Sequence, residues 1–252
     1  MNKLNLKNSL IILILFALII GLFYFGLKPN KDPNLHKEEM KTAKILKTME
    51  QKDINEVSVA VRDAKKTIQL NNASSTNESM AIRFSNSVIM GDSIAMGLVE
   101  YQLLSPSVVI GARGRRVDNC DDDINKVISL APQSVFVCFG LNDLPYYRGN
   151  VEPFINNYGI VIDKLKKGLP NAKLYINAIL PVASYVAGER PAYASLQAFN
   201  DAIKEMCKTK KITYIDNSFL LQGDDVYIFD GIHPQFFFFP KWMANMAMIG
   251  KL

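Results

Sequence analysis

Histidine and cysteine are scarce in this chain, and their scarcity narrows the chemistry that it can perform. The 252 residues include two histidines, His36 and His233, and three cysteines. Three cysteines are too few for a scaffold held by disulfides, and no C-x-x-C pair offers a structural zinc site. The hydrophobic share of 49% and the charged share of 21% exclude a wholly disordered or collagen-like chain.

A surplus of charge of one sign is lacking over most of the chain. The net charge of +5 arises in residues 1–85, which hold 13 basic and 8 acidic side chains, whereas residues 86–252 hold 16 of each. Binding to nucleic acid along the main domain is therefore not expected, because phosphate contacts need a basic surface.

One long hydrophobic run is present near the N-terminus. Residues Leu10–Leu27 read LIILILFALIIGLFYFGL, without a charged side chain. As a helix they would rise about 27 Å, close to the hydrocarbon core of a bilayer. Lys3 and Lys7 precede the run and favour a cytoplasmic segment 1–9. We predict a single-pass membrane anchor at 10–27 with the rest of the chain extracellular. Removal as a signal peptide is the alternative, and the lack of an A-x-A-like site after the run favours the uncleaved anchor.

Residues 28–85 are expected to form a stalk between the anchor and a main domain at 86–252. Residues 34–70 are rich in charged side chains, with apolar residues at loose helical spacing, which indicates one or two amphipathic helices. His36 lies here without a nearby metal-ligand partner and is interpreted as a solvated surface residue. The polar stretch Asn71–Glu78 is the predicted linker.

From Ser87 onward, short apolar runs alternate with helical patterns, which predicts an open parallel sheet with helices on both faces. Ligands of such folds bind beyond the carboxyl ends of the strands, so a site is expected there. The predicted strands are Ser87–Met90, Val108–Ile110, Ser134–Phe139, Lys173–Ile179 and Ile212–Ile215. The predicted helices lie near residues 94–104, 120–130, 152–168, 192–209 and 235–249.

The first two strand ends carry residues suited to stabilising negative charge. The first ends in Gly91-Asp92-Ser93 before a helix, where free backbone N–H groups favour an anion, although serine is also a common helix cap. The second leads into a loop with Gly111 and Gly114. Either glycine can form an ordinary turn or let the backbone approach a ligand closely.

The later junctions carry an amide and an imidazole. Asn142, after the third strand, can point its amide into the cleft or close an Asx turn. Asp230 and His233 can meet if the chain turns at Gly231. His233 is then the one imidazole available to take a proton from Ser93, with a carboxylate to orient it.

Taken together, Gly-Asp-Ser, Gly-x-Asn-Asp and Asp-x-x-His resemble the sequence blocks of the SGNH hydrolases, also called GDSL esterases, over about residues 86–249. The match departs from the family motif at Ile94, where leucine is usual. The resemblance implies a flavodoxin-like three-layer α/β/α fold. It also implies Ser93 as nucleophile, His233 as general base and Asp230 as the residue that orients the imidazole.

The same resemblance implies an oxyanion hole. Its donors would be the backbone N–H groups of Ser93 and Gly114 and the side-chain amide of Asn142, with Gly111 as an alternative to Gly114. No metal or cofactor is implied. Asp92 and Asp143 accompany the motifs, and neither is assigned a direct catalytic role.

The family resemblance implies acyl transfer through a serine ester, and the predicted anchor directs attention to the cell envelope. We expect an esterase that removes O-acyl groups, acetyl foremost, from an envelope carbohydrate. One alternative is an O-acetyltransferase that passes the acyl group to a glycan. An alternative of another class is a catalytically silent glycan-binding or scaffold protein.

Three other features have two interpretations each. Arg115 and Arg116, with Arg113, can bind an anionic substrate or pair with the acidic residues 121–123. The run Phe236–Phe239 can pack the last helix on the sheet or contact an acyl chain or membrane. Cys138 is interpreted as a buried thiol, whereas Cys120 and Cys207 could form a disulfide outside the cell or remain free.

Overall fold

The structure is a computed structural model, and it describes residues 77–252. The predicted anchor at 10–27 and the predicted stalk helices lie outside these residues, so both stay predictions. Within the described part of the chain, no helix is long and apolar enough to cross a membrane.

Five parallel strands form one sheet in the order β2-β1-β3-β4-β5. This order reverses direction between β1 and β3, as in flavodoxin-like folds, and it confirms the predicted parallel α/β sheet. The strands are β1 (Ser87–Gly91), β2 (Val109–Gly111), β3 (Ser134–Cys138), β4 (Lys173–Asn177) and β5 (Thr213–Ile215). All five were predicted, with boundaries within two residues.

Eight α-helices accompany the sheet over residues 77–252. They are α1 (Asn77–Arg83), α2 (Ser93–Glu100), α3 (Asp121–Leu130), α4 (Asp143–Tyr146), α5 (Val151–Gly168), α6 (Ser184–Glu189), α7 (Leu196–Lys210) and α8 (Phe238–Gly250). Helices α2, α3, α5, α7 and α8 correspond to the predicted ones. The short helices α1, α4 and α6 were not predicted, because their sequences are too brief to show a helical period.

The helices cover both faces of the sheet. Right-handed connections place α2 on one face and α3, α5 and α7 on the other, because the chain reverses its direction across the sheet after β2. Helices α1 and α8 join α2: Gly97 of α2 lies directly against the ring of Phe239 in α8. The side chain of Arg83, at the end of α1, donates to the carbonyl oxygen of Leu252. The result is the three-layer arrangement expected.

Strand β3 is apolar from Val135 to Cys138 because of where it lies in the sheet. Val135, Phe136 and Val137 are fully buried because helices cover both sides of the strand. The ring of Phe136 stacks on Tyr175 of the neighbouring strand, with centroids 4.7 Å apart. Such a strand can present functional groups only at its ends, where the loops begin.

Helix α1 falls in the segment that the sequence analysis assigns to the stalk. Its residue Met80, and Phe84 just after it, are buried in the same hydrophobic core as the sheet. The fold therefore begins before residue 86. The first residues of α1 are polar, as in a linker. The burial of Met80 and Phe84 is what assigns the segment to the core.

The three cysteines are free thiols. Cys120 and Cys207 are buried and do not form the disulfide that the sequence left open, whereas Cys138 is half-buried at the end of β3.

Candidate active site

Ser93 is the first residue of α2, directly after the loop that leaves β1. The helix cap is Asp92, whose Oδ1 accepts a hydrogen bond from the N–H of Ile94 at 3.0 Å. Because Asp92 caps the helix, the hydroxyl of Ser93 is not used for capping. Instead, its Oγ lies 2.9 Å from Nε2 of His233.

The imidazole of His233 is held on its other side by Asp230. Nδ1 of His233 lies 2.6 Å from Oδ2 of Asp230, and Oδ1 of Asp230 accepts from the N–H groups of Ile232 and His233 at 2.8 and 2.9 Å. Burial opposes ionisation of Asp230, but these hydrogen bonds and the imidazole outweigh it and lower its pKa. An ionised carboxylate can only accept, so Nδ1 carries the proton and Nε2 offers its lone pair to Ser93.

A tight turn brings Asp230 and His233 together. The N–H of Ile228 donates to the carbonyl oxygen of His233 at 2.9 Å, and the N–H of Gly231 donates to that of Ile228 at 2.9 Å. Gly231 has a left-handed φ of +66°, and a side chain there would collide with Tyr185. The turn predicted at Gly231 is therefore present.

Hydrogen bonds also connect this turn and the loop before it to the segment 181–185, which follows β4. The residues of this segment form no recognisable motif. The contacts come from both sides: the segment donates to the loop 224–231 and the loop donates back. They are Ala183 N–H to Gly231 O at 2.7 Å, Ser184 N–H to Asp224 Oδ1 at 2.7 Å, Ser184 Oγ to Asp224 Oδ2, Tyr185 Oη to Phe229 O at 3.3 Å, and Tyr227 Oη to Pro181 O at 3.0 Å.

Asn142 stands between the loops that follow β1 and β2. Its Nδ2 donates to the carbonyl oxygen of Arg115 at 3.2 Å and lies 3.5 Å from Oδ2 of Asp92. Asn142 precedes α4 without capping it, so the Asx-turn alternative is not what the structure shows. Its amide is thus held at the carboxyl edge of the sheet, next to Asp92, the residue that precedes Ser93.

The two loop glycines differ in their surroundings. Gly111 ends β2 beside Gly91, and a Cβ at Gly111 would overlap the Gly91 carbonyl oxygen. Gly114 has a φ of +74° and open space where a side chain would lie. Gly111 therefore serves the close packing of β1 and β2, and Gly114 is the one with room beside it for a ligand.

Asp92 and Asp143 are buried carboxyl groups whose pKa values are unusual. Burial raises the pKa of Asp92 to about 7, against the hydrogen bond from Ile94 and the charge of His233. Burial likewise raises the pKa of Asp143 to about 7, against the hydrogen bond that its Oδ1 accepts from the N–H of Val117 at 3.1 Å. Sequence reasoning assigned neither a role, although both lie inside the motifs.

The arginines beside Gly114 are engaged in ion pairs. Arg115 binds Asp123 through Nε at 2.5 Å and Nη2 at 3.2 Å, which is one of the predicted pairings. Arg116 pairs instead with Asp118 at 3.0 Å, and its guanidinium lies 3.7 Å from the ring centroid of Tyr146. Their predicted contact with substrate stays a prediction.

The run Phe236–Phe239 divides into two halves. Phe238 and Phe239 are buried and pack α8 onto the domain, as predicted. Phe236 and Phe237 remain substantially exposed, so the packing interpretation covers half of the run.

A small cavity adjoins the Ser93 and Asn142 loops. Its volume is about 20 Å³. The lining includes Asp92, Ile94 and Leu141, which are sequence neighbours of predicted site residues, whereas Ser93, Asn142 and His233 do not line it. A space of this size accommodates one small group.

The arrangement of Ser93, His233 and Asp230 defines a class of protein. A hydroxyl, an imidazole and a carboxylate in hydrogen-bonded series can activate the oxygen for attack on an acyl carbon. Among residues 77–252, no group of three His, Cys, Asp or Glu side chains could hold a metal ion. The fold and the site are those of an α/β serine hydrolase.

The chain belongs to the GDSL-like lipase/acylhydrolase family, whose sequence pattern matches residues 89–235. It is thus a serine hydrolase that acts on esters, as the sequence motifs predicted. No curated protein sequence matches this chain significantly.

Solved structures with low sequence identity share the fold. A GDSL-like lipase from Bacteroides thetaiotaomicron VPI-5482 has 20% identity and a TM-score of 0.54, covering 76% of this chain and 97% of its own. A carbohydrate esterase family 3 protein from Talaromyces cellulolyticus has 18% identity and a TM-score of 0.50, covering 66% and 94%.

Proposed function

We propose that this protein is a serine esterase that removes O-acyl groups, acetyl foremost, from carbohydrate of the cell envelope. The observation that carries the proposal is the series of contacts from Ser93 Oγ to His233 Nε2 at 2.9 Å and from His233 Nδ1 to Asp230 Oδ2 at 2.6 Å. Ser93 lies 140 residues from His233 in the chain, and the Asp230–His233 turn meets it in the order that deprotonation of the hydroxyl requires.

The reaction takes place in two steps. Ser93 Oγ attacks the ester carbon while His233 Nε2 takes its proton, and the same proton then passes to the departing sugar oxygen. The acyl group is left on Ser93 as an ester. Water, deprotonated by His233, then attacks this ester, which releases the carboxylic acid and restores the serine hydroxyl.

The oxyanion formed in each step needs hydrogen-bond donors. We assign this role to the N–H groups of Ser93 and Gly114 and to Nδ2 of Asn142. The position of Ser93 at the start of α2 supports the assignment, because the first N–H groups of a helix have no partner within it. The open space beside Gly114 supports it as well.

We propose a short acyl group, acetyl foremost, as the group that is released. Carbohydrate as the alcohol component is supported by the similarity to the carbohydrate esterase family 3 protein, whose fold is shared.

Placement outside the membrane is part of the proposal and is supported by the sequence of residues 10–27, which is apolar and preceded by lysines. A tether of this kind would keep the domain close to envelope polymers. The polymer would be the substrate partner, and the bilayer would be contacted through residues 10–27.

The test compares the wild-type protein with Ser93→Ala and His233→Ala on p-nitrophenyl acetate, butyrate and octanoate. Ser129→Ala is the matched control, because Ser129 is exposed on α3 and bonds only to Lys126. We expect loss of turnover in the first two variants, unchanged turnover in the control, and a preference for acetate. Full activity of Ser93→Ala would contradict the proposal.

The carbohydrate part is tested separately with an acetylated oligosaccharide and an unacetylated glycan acceptor. Free acetate as the main product identifies an esterase. Acetylated acceptor as the main product identifies an O-acetyltransferase instead. If neither forms and Ser93 resists labelling by a fluorophosphonate, a catalytically silent glycan-binding protein is indicated.

A further inference from the structure

The oxyanion donors of the proposed site belong to three separate loops. Ser93 follows β1, Gly114 follows β2 and Asn142 follows β3. Oxyanion stabilisation needs donors about 3 Å from one oxygen atom, and an error of 1 Å costs roughly 10² in rate. Parallel strands fix the starts of these loops but leave their tips free, so further contacts must hold them together.

The loop 112–117 is joined to the turn 140–143 by two side chains. Oδ1 of Asp143 accepts from the N–H of Val117 at 3.1 Å, and Nδ2 of Asn142 donates to the carbonyl oxygen of Arg115 at 3.2 Å. These contacts involve Arg115, the residue directly after Gly114, and Val117, at the end of the loop. They restrict where the N–H of Gly114 can point.

Asp143 is itself firmly placed. Its side chain is completely buried, and its N–H donates to the carbonyl oxygen of Gly140 at 3.0 Å. The carboxyl therefore acts from a rigid turn rather than from a mobile surface, which is what a fastening contact requires.

The buried carboxyl of Asp143 lowers the stability of the fold. Its Oδ2 is buried with no hydrogen-bond partner among the described residues, and leaving a buried polar atom unpaired destabilises the folded state. A second buried carboxyl, Asp92, lies on the other side of Asn142. A local violation of this kind next to a site is a mark of function rather than of stability.

We propose that Asp143 is a positioning residue of the oxyanion hole, whose buried carboxyl fastens the Gly114 loop to the turn that carries Asn142. The inference rests on the oxyanion assignment under the proposed function. Asp143 does not touch the substrate, and its effect passes through the backbone of residues 114–117.

The test measures kcat and KM for p-nitrophenyl acetate in Asp143→Ala and Asp143→Asn, with thermal unfolding measured in parallel. Alanine removes the acceptor, so we expect kcat to fall about 10- to 100-fold while KM changes less than about threefold. Asparagine keeps an acceptor oxygen for the N–H of Val117, so its kcat should stay within about threefold of the wild type.

The control is Asn200→Ala, which removes a comparable buried contact elsewhere. Asn200 holds the backbone of Ile179, after β4, by hydrogen bonds of 2.8 and 3.0 Å, and that loop carries none of the donors. We expect a lower melting temperature with kcat unchanged. Should Asp143→Ala not fold, Asp143→Ser serves in its place, since its hydroxyl ends one atom short of the carboxyl oxygen.

Two outcomes would overturn the inference: equal kcat losses in the alanine and asparagine variants, or a folded alanine variant with wild-type kcat. Neither depends on the outcome for Ser93→Ala. If Ser93→Ala keeps its activity, the proposed function is wrong. If Ser93→Ala is inactive and Asp143→Ala is fully active, only the role of Asp143 is wrong.

Discussion

The ring nitrogen Nε2 of His233 lies 2.9 Å from the hydroxyl oxygen of Ser93, although 140 residues separate them in the chain. The contact joins the start of α2, at the carboxyl edge of the sheet, to the turn of residues 230–233, which precedes α8. Each predicted variant below perturbs either this contact or the groups around it.

Replacing Asp230 by asparagine should reduce kcat by about 10³- to 10⁴-fold. An amide can donate to Nδ1, and this would favour the tautomer with the proton on Nε2, which cannot accept from Ser93. The measurement is kcat for p-nitrophenyl acetate. Asp225→Asn, on the same loop and exposed, is the control and should be fully active. A loss of less than tenfold would mean that Asp230 does not orient the imidazole.

Replacing Asn142 by alanine should lower kcat by about 10²- to 10³-fold, or roughly 3–4 kcal/mol, with little change in KM. The reason is that the amide acts on charge that develops only in the transition state. Asn125→Ala, exposed on α3, is the control. A raised KM with kcat unchanged would place Asn142 in ground-state binding instead.

The two glycines of the β2 loop should respond differently to alanine. Gly111→Ala forces a Cβ into the carbonyl oxygen of Gly91, so we expect a loss of at least about 1–3 kcal/mol of unfolding free energy. In Gly114→Ala the added Cβ meets no neighbour, so only the left-handed backbone lowers the free energy of unfolding, by about 1–2 kcal/mol. This variant should nevertheless lose activity if the N–H of residue 114 moves. Thermal unfolding and kcat distinguish the two. A stable Gly111→Ala protein would contradict the close approach.

Stability should fall with rising pH because of Asp143. Burial raises its pKa to about 7, so the folded protein holds a proton that the unfolded chain has released above about pH 4. The stability that the protonated Asp143 contributes is complete below about pH 4 and is lost as the pH rises through about 7. Relative to Asp143→Asn, the free energy of unfolding of the wild type should therefore drop by about 1 kcal/mol per pH unit between about pH 4.5 and 6.5.

Urea denaturation at several pH values provides the measurement. The range stays above pH 4.5 because Asp230, with its lowered pKa, acts in the opposite direction: its contribution is lost as the pH falls through that pKa. Parallel curves for the wild type and Asp143→Asn would show that Asp143 is ionised in the folded protein at all of these pH values.

Arg115 and Arg116 are predicted to bind an anionic substrate even though both form ion pairs. Replacing either by alanine should raise KM for an anionic acetylated glycan roughly two- to fivefold, since exposed charge contacts are weak. KM for the neutral p-nitrophenyl acetate should not change. Lys164→Ala, which removes an exposed pair with Asp121, is the control. An unchanged KM for the glycan would restrict these arginines to their ion pairs.

The sheet was predictable because its strands are short apolar runs whose pattern is local. The buried strand β3 is the clearest case, since its four consecutive apolar residues from Val135 to Cys138 are typical of a strand covered on both faces. Helix α1 was not predictable, because its first residues are polar and its attachment depends on Met80 and Phe84 meeting a core made by distant segments.

Motifs predicted the catalytic residues, whereas no motif indicated the groups that hold them. Nothing in the residues around Ala183 or Tyr185 indicates that they hold the His233 turn, since hydrogen bonds to backbone oxygens leave no residue pattern. The same holds for Asp92, whose role as the cap of α2 became visible only from its distance to the N–H of Ile94.

The sequence by itself determined the parallel α/β class, the esterase family and the residue types available for catalysis, because periodicity and short motifs are properties of neighbouring residues. Only the tertiary structure decided that Gly111 packs against β1, that Arg115 binds Asp123, and that Asp143 reaches the N–H of Val117. These contacts join residues that are 8 to 26 positions apart in the chain, so their existence depends on how the folded sheet places its loops.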